Sequence, residues 1–205
     1  MKSYNIHLIR HGQISEGNQG LYIGSSDVTL SKEGIELLKK YDREMKYPGT
    51  PVLYTSPMLR CLQTCQVLYP QIRPTVVQDL REYNFGEWEG KSAGELSESP
   101  AFTQWLANSR SVTPPGGENM DDFLKRICLA FENIVNNLIK SGEETAVIVS
   151  HAGVLTTLLS VYGLPHGNPY AWSMDNGFGF SAKINTMLWM RDKVMEIYKK
   201  IPEKI

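Results

Sequence analysis

The chain has 205 residues, of which 41% are hydrophobic, with a formal net charge of −1; this suits one sizeable core at about 100–200 residues per domain. Acidic and basic residues are interspersed, so no basic stripe points to nucleic acid and no acidic tail to a solvating arm. No stretch approaches the ~18 apolar residues of a spanning helix, and the opening MKSYNIHL lacks the apolar core and small-residue cleavage site of a secretory signal. A soluble, cytoplasmic protein without a membrane partner is expected. Cys61, Cys65 and Cys128 are odd in number, and the first two are four apart rather than in CxxC spacing, so they read as buried free thiols.

In chain order, SYNIHLIR reads as a strand. LSKEGIELLKKYDREMK has helical periodicity, with Ser31 as N-cap and Pro48 and Gly49 as the stop. VLYTS is a short strand, and Pro57 suits the first turn of a helix through MLRCLQTCQVLY. PTVVQDL reads as a third strand. An irregular stretch over residues 81–118 follows, rich in Gly, Ser, Pro and aromatics, with short helices expected at AGELSES and AFTQWLAN; loops this long are usually lids or binding insertions. MDDFLKRICLAFENIVNNLIK is the clearest amphipathic helix, followed by the buried strand TAVIVS and a helix from VLTTLLSVYG. The tail GFGFSAKINTMLWMRDKVMEIYKK reads as two or three strands turning at residues 191–193. The alternation predicts one α/β domain of three layers, α/β/α, with a mostly parallel sheet and an antiparallel edge from the tail.

In such sheets ligands bind beyond the carboxyl ends of the strands. The polar residues at those ends are Arg10, His11 and Gly12 after NIHLI, Arg60 in the helix after VLYTSP, and His151 after TAVIVS. The third strand runs on to Arg81 and Glu82. Guanidinium forks match phosphate oxygens and stay charged, whereas histidine can be neutral near pH 7 and can attack or relay a proton. Two arginines and a donor histidine would neutralise a phosphoryl group without metal. His11 is the candidate nucleophile, its pKa lowered by Arg10. His151 is expected to donate to a phosphoryl oxygen, and Glu82 to protonate the leaving alkoxide and later activate water.

The RHG tripeptide, SPMLRCLQT, LREYNFGEWEG and VSHAG, in that order, resemble the histidine phosphatase superfamily, or phosphoglycerate mutase-like fold, over residues 4 to about 160. The resemblance implies that His11 becomes phosphorylated, that Arg10, Arg60 and His151 form the phosphate pocket, and that Glu82 is the proton donor. GLYIGSSDVTLSKEG, FGEWEG and PPGGEN are similar to the small bacterial phosphatases, especially the α-ribazole phosphatases of cobalamin synthesis. Where that family usually has a threonine or serine and then an asparagine after the nucleophile, Ile14 and Gly17 stand here, with Ser15 and Asn18 one residue later. The register recovers at Tyr22 and Gly24. A one-residue bulge would restore both contacts and make Ser15 and Asn18 substrate-binding residues, alongside Tyr22 and Gly24. PPGGEN also ends in Asn119 where serine is commoner.

Several residues have plainer readings. His7, inside the first strand, is expected to be a hydrogen-bonded core histidine, and His166, between Pro165 and Gly167, a solvated turn residue. Tyr83, Phe85, Trp88 and Trp105 read first as core, although one could stack on an aromatic, nucleoside-like leaving group. His11, His151 and Glu82 could imitate a two-histidine, one-carboxylate metal site, but Arg10 and Arg60 would repel a divalent cation. The expectation is therefore a metal-independent phosphomonoesterase with no cofactor, acting on a small phosphomonoester, α-ribazole 5′-phosphate being preferred. A phosphoglycerate mutase-type transferase and a non-catalytic phospholigand binder are the alternatives, and a homodimer is compatible with the sequence.

Overall fold

The computed structural model describes residues 2–15, 18, 20–167 and 169–204. The elements run β1 (Ser3–Arg10), α1 (Lys32–Glu44), β2 (Met45–Lys46), β3 (Val52–Thr55), α2 (Leu59–Leu68), β4 (Thr75–Val76), α3 (Ala93–Leu96), α4 (Pro100–Ala107), α5 (Met120–Ser141), β5 (Thr145–Ser150), α6 (Ala152–Tyr162), β6 (Gly163–Leu164), β7 (Gly179–Asn185), α7 (Thr186–Asp192), β8 (Met195–Ile201) and β9 (Glu203–Lys204). Short 3-10 helices lie at Gln78–Leu80, Gly86–Trp88 and Pro169–Trp172.

The main sheet has the order β4-β3-β5-β1-β7-β8-β6, and β2 pairs separately with β9. The pairs β3·β4, β3·β5 and β1·β5 are parallel, while β7 runs antiparallel to both β1 and β8. This is the three-layer α/β/α arrangement expected from the alternation, with antiparallel pairing confined to the side built by the tail. Side chains alternate across the sheet with period 2. Ile6, Leu8, Ala146 and Ile148 face one way, in a core that takes in Ile127 and Phe131 of α5 and Leu155 and Leu158 of α6. Ile9, Val147 and Val149 face the other, with Leu38 of α1 and Cys61 and Cys65 of α2.

Local chemistry explains most boundaries. The Ser31 hydroxyl accepts from the Gly34 amide at 2.9 Å and opens α1, an N-cap of the expected kind. That helix stops before Pro48, because Met45 and Lys46 turn extended to pair with β9. Met58 is the N-cap of α2, so Pro57 precedes the helix instead of standing in its first turn. Asn119 caps α5 by accepting from the Asp121 amide at 2.8 Å, which any short polar side chain there can do.

Two strand expectations are corrected. In PTVVQDL only Thr75 and Val76 pair, after which the chain coils through Gln78–Leu80 and buries Leu80 completely. In the tail, TMLWMRD is the helix α7. Asn185 accepts from the Met187 and Leu188 amides, Trp189 is buried on one face, and Lys193 at φ 54° ends the turn. An apolar run with one buried aromatic does not separate strand from helix by pattern alone; the cap decides it.

All three cysteines are free thiols, Cys61 and Cys65 buried and Cys128 half-buried. His166 is exposed, as a turn residue should be. His7 is buried, its Nδ1 2.7 Å from the Ser181 hydroxyl. Burial first, and Lys199 second, push its pKa down from 6.5 to about 4. The unfolded chain therefore binds the extra proton between about pH 6.5 and 4, and stability falls as pH drops through that window, by at most about 1.4 kcal/mol per pH unit for each such histidine. Melting temperatures measured from pH 7 to pH 5 are expected to decline, and His7→Gln to decline less steeply, whatever its stability at pH 7.

Candidate active site

The ladder between β1 and β5 sets Arg10 opposite Ser150. The next residues, His11 and His151, therefore leave the sheet side by side, their ring centroids 5.3 Å apart. β3 is in register with β5 through Thr55 and Val149, and the Ser56 amide donates to the Val149 carbonyl at 3.0 Å. Arg60 follows in the first turn of α2. Glu82 arrives from the coil after Leu80, its carboxylate accepting from the Tyr83 amide at 3.0 Å and from the Gly153 amide, in the first turn of α6, at 2.9 Å. A Cβ on Gly153 would lie 2.5 Å from Glu82 Oε1, so only glycine lets the carboxylate come this close to the helix.

Arg10, His11, Arg60 and Glu82 line a cavity of about 310 Å³, with Asn18 and Asn176 among its other walls, while His151 and Ser56 lie buried behind that lining. A second, largely apolar cavity of about 360 Å³ adjoins it, sharing Leu21, Ile23 and Glu82 and continuing along Tyr22, Tyr83, Phe85 and Trp105. The aromatics divide as burial demands. Trp88 and Phe102 are core, while Tyr22, Phe85 and Trp105 pack edge-to-face among themselves and turn one side to the cavity.

Hydrogen bonding fixes the tautomers. His11 Nδ1 lies 2.7 Å from the Gly12 carbonyl, which can only accept, so Nδ1 carries the proton and Nε2 keeps its lone pair. Burial first, then Arg60 and, more weakly, Arg10 push the His11 pKa down to about 3. Burial, rather than the neighbouring Arg10 charge, is thus the main cause. Arg60 Nε donates to His151 Nδ1 at 3.2 Å, so the proton of His151 sits on Nε2, which is 2.7 Å from the Ser56 hydroxyl. The His151 pKa is likewise lowered, by burial first, then by the adjacent His11 and the arginines at 60, 126 and 10. Both ring nitrogens of His151 thus face protein partners, and donation to a ligand oxygen requires its N–H to turn away from Ser56.

Among the described residues, both guanidinium groups bond only to neutral acceptors. Arg10 donates to the Met174 carbonyl at 2.9 Å, and its buried Nε has no partner among the described residues. Arg60 donates to the carbonyls of Ser26 and Gly24, at 2.8 and 2.7 Å. Burying cations without a direct counter-ion is costly, and the cavity between them suits a dianion. The N-terminus of α6 adds its dipole on the same side. Burial raises the Glu82 pKa, offset in part by the Tyr83 and Gly153 amides and then by Arg60 and Arg126, so the carboxyl holds a proton to higher pH than an ordinary glutamate.

Of the remaining sequence assignments, Asn18 lines the first cavity and Tyr22 the second. Ser15 is exposed and outside the lining; its carbonyl accepts from the Asn18 amide. Gly17 lies outside the described residues. Gly24 serves through its carbonyl on Arg60, and its loop is fastened by Glu89, whose carboxylate accepts from the Gly24, Ser25 and Ser26 amides.

Three contributors were not anticipated. Asn176 donates to the His11 and Gly12 carbonyls. The Thr64 hydroxyl accepts from the Gly12 amide at 2.9 Å. Ser56 holds His151. Asn176 precedes β7, whose Gly179 pairs with Ile9; its place at the β1 end follows from that antiparallel register and carries no local signal. No group of three or more His, Cys, Asp or Glu side chains among the described residues is arranged to hold a metal ion, and the three nitrogens accounted for above are committed to carbonyl, hydroxyl and guanidinium partners.

The model of the histidine phosphatase superfamily (branch 1) matches residues 6–184, and the chain belongs to that superfamily. It is 28% identical to "Putative phosphoserine phosphatase 2" of Hydrogenobacter thermophilus, the match covering 83% of this chain and 85% of that protein. It is 27% identical to a 2,3-bisphosphoglycerate-dependent phosphoglycerate mutase of Cytophaga hutchinsonii, covering 74% of each. It is 25% identical to the adenosylcobalamin/alpha-ribazole phosphatase of Escherichia coli, covering 87% and 89%. The alpha-ribazole phosphatase of Shigella flexneri shares the fold, with TM-score 0.77, 24% identity and 95% and 94% coverage. The chain is accordingly an enzyme with phosphatase activity. Arg60→Met is expected to weaken binding of inorganic phosphate or vanadate at least about tenfold, the equivalent of one hydrogen bond to a charged group. Titration calorimetry on the variant and the parent checks it.

Proposed function

We propose that the protein is a metal-independent phosphomonoesterase that hydrolyses a small phosphorylated metabolite through a phosphorylated His11, with α-ribazole 5′-phosphate the favoured substrate. The observation that carries this reading is the His11 ring, locked through Nδ1 onto the Gly12 carbonyl with Nε2 unprotonated beside Arg10, Arg60 and Glu82.

Nε2 attacks phosphorus while Arg10 and Arg60 hold the equatorial oxygens, the His151 Nε2–H turning from Ser56 to join them. As the P–O bond breaks, Glu82 gives its proton to the departing alkoxide, for which its raised pKa fits it. The resulting carboxylate takes a proton from water, and the hydroxide oxygen attacks the phosphohistidine, freeing phosphate and restoring neutral His11. Splitting the reaction in this way is covalent catalysis, and the positioned acid–base group contributes about 10²–10⁴ in rate.

The second cavity supports the choice of leaving group. It opens beside Glu82, where the leaving oxygen must sit, and is walled by Tyr22, Phe85, Trp105 and Phe123. Arg10 and Arg60 are the sole cations among the described residues lining either cavity. A phosphoglycerate or phosphoserine would bring a carboxylate with no counter-charge, whereas an aromatic nucleoside-like alcohol would bury its ring. Hydrolysis is therefore favoured over phosphoglycerate mutation. A cytoplasmic location belongs to the same reading, since such metabolites are made and used there.

His11→Ala is expected to abolish both turnover and acid-labile phosphorylation of the chain, and chelation with EDTA to leave the parent rate unchanged. Full activity in His11→Ala, or loss on chelation that zinc restores, would sink the reading. Product analysis separates the alternative: free phosphate under hydrolysis, an isomeric phosphoester under mutation.

A further inference from the structure

Five of the six central side chains are carried by regular structure, Arg10 itself ending β1. His11 and His151 extend hydrogen-bonded strands, Ser56 follows a third, and Arg60 stands on α2. Glu82 has no such support, because the chain leaves the sheet after Val76 and is not in a strand or α-helix from there until α3. A proton donor needs the tightest placement of all, since about 1 Å of error can cost about 10²-fold in rate.

Arg126, on α5 and outside both cavities, fills that gap. Its guanidinium places all five N–H groups. Nε and NH2 donate to the Glu118 carboxylate at 2.6 and 2.8 Å. NH1 donates to the carbonyls of Asp79 and Arg81, both at 2.7 Å, and NH2 also to the Glu82 carbonyl at 3.0 Å. Glu118 closes the other side. Its amide donates to the Asn84 carbonyl at 2.9 Å, and its own carbonyl accepts from the Tyr83 hydroxyl. The Arg126–Glu118 pair is only about a tenth exposed, at 10% and 12% of the side chains. One planar group thus gathers the main chain on both sides of Glu82, as a neighbouring strand would.

We infer that Arg126 is the positioning residue for the proton-donating carboxyl of Glu82, acting through the backbone carbonyls of residues 79, 81 and 82. The inference rests on the reading of Glu82 as proton donor given above. A lysine cannot replace it, because an ammonium offers three donors from a single point and cannot span the carboxylate and three carbonyls at once.

The test uses two substrates that differ in their need for a proton: an alkyl phosphate, whose alkoxide must be protonated, and p-nitrophenyl phosphate, whose phenolate departs without help. kcat/KM, which reports the first transfer, is measured for the parent, Glu82→Gln, Arg126→Lys and Arg126→Gln, with melting temperatures alongside. Glu82→Gln is expected to lose about 10²-fold or more on the alkyl ester and little on the aryl ester. Arg126→Lys and Arg126→Gln are expected to repeat that selective loss, at least tenfold on the alkyl ester with the aryl ester within about threefold. Should Arg126→Gln not fold, Arg126→Lys, which keeps the charge beside Glu118, decides. Equal losses on both esters, or none, in the Arg126 variants while Glu82→Gln stays selective would overturn the inference and leave the reading of Glu82 standing. Absence of selectivity in Glu82→Gln itself would overturn both.

Discussion

The parallel pairing of β1 with β5, in the register that sets Arg10 against Ser150, is the constraint from which the site descends. Both strands bury apolar side chains on both faces, Ile6, Leu8, Ile9, Ala146, Val147, Ile148 and Val149 all being buried. A slip by one residue would send every one of those side chains to the opposite layer. The register is therefore held by the core, and the core in turn holds two imidazoles edge to face at the rim. Catalytic geometry here is a by-product of hydrophobic packing several residues away.

Electrostatics then follow from burial. Removing water from around His11 and His151 favours their neutral forms, and the guanidiniums of half-buried Arg10 and buried Arg60 reinforce this. The same desolvation acts in the opposite sense on Glu82, favouring its protonated form. One environment thus moves the two groups apart, toward a neutral imidazole at His11 and a protonated carboxyl at Glu82. The cost is two cations without direct counter-ions among the described residues, which a bound phosphoryl dianion offsets.

Apart from Ser56, whose hydroxyl meets the His151 ring, the residues that support the site do so through backbone atoms. Thr64 and Asn176 hold Gly12, Glu89 holds the 24–26 loop whose carbonyls hold Arg60, and Arg126 with Glu118 holds the segment around Glu82. Such contacts leave little trace in local sequence. A carbonyl acceptor is present at every residue, so nothing in DLREYN or in MDDFLKR reveals that one guanidinium of the second gathers three carbonyls around the first. His151 is a related case. Its presence at a strand end was legible, but its engagement with Ser56 and Arg60, and hence the direction of its N–H, was not.

By itself the sequence determined the alternation of elements, the sheet layers, the capped start of α1 and the set Arg10, His11, Arg60, Glu82 and His151, because periodicity, caps and strand-end chemistry are written over a few neighbouring residues. Tertiary structure alone decided what depends on distant segments meeting. That includes the early end of β4, the helix in the tail, the exposure of Ser15, the place of Asn176, the tautomers of both histidines and the apolar cavity beside Glu82. In each of these the deciding contact spans tens of residues or more, or turns on a cap that competes with an equally apolar strand pattern, and local propensity carries no information about which partner arrives.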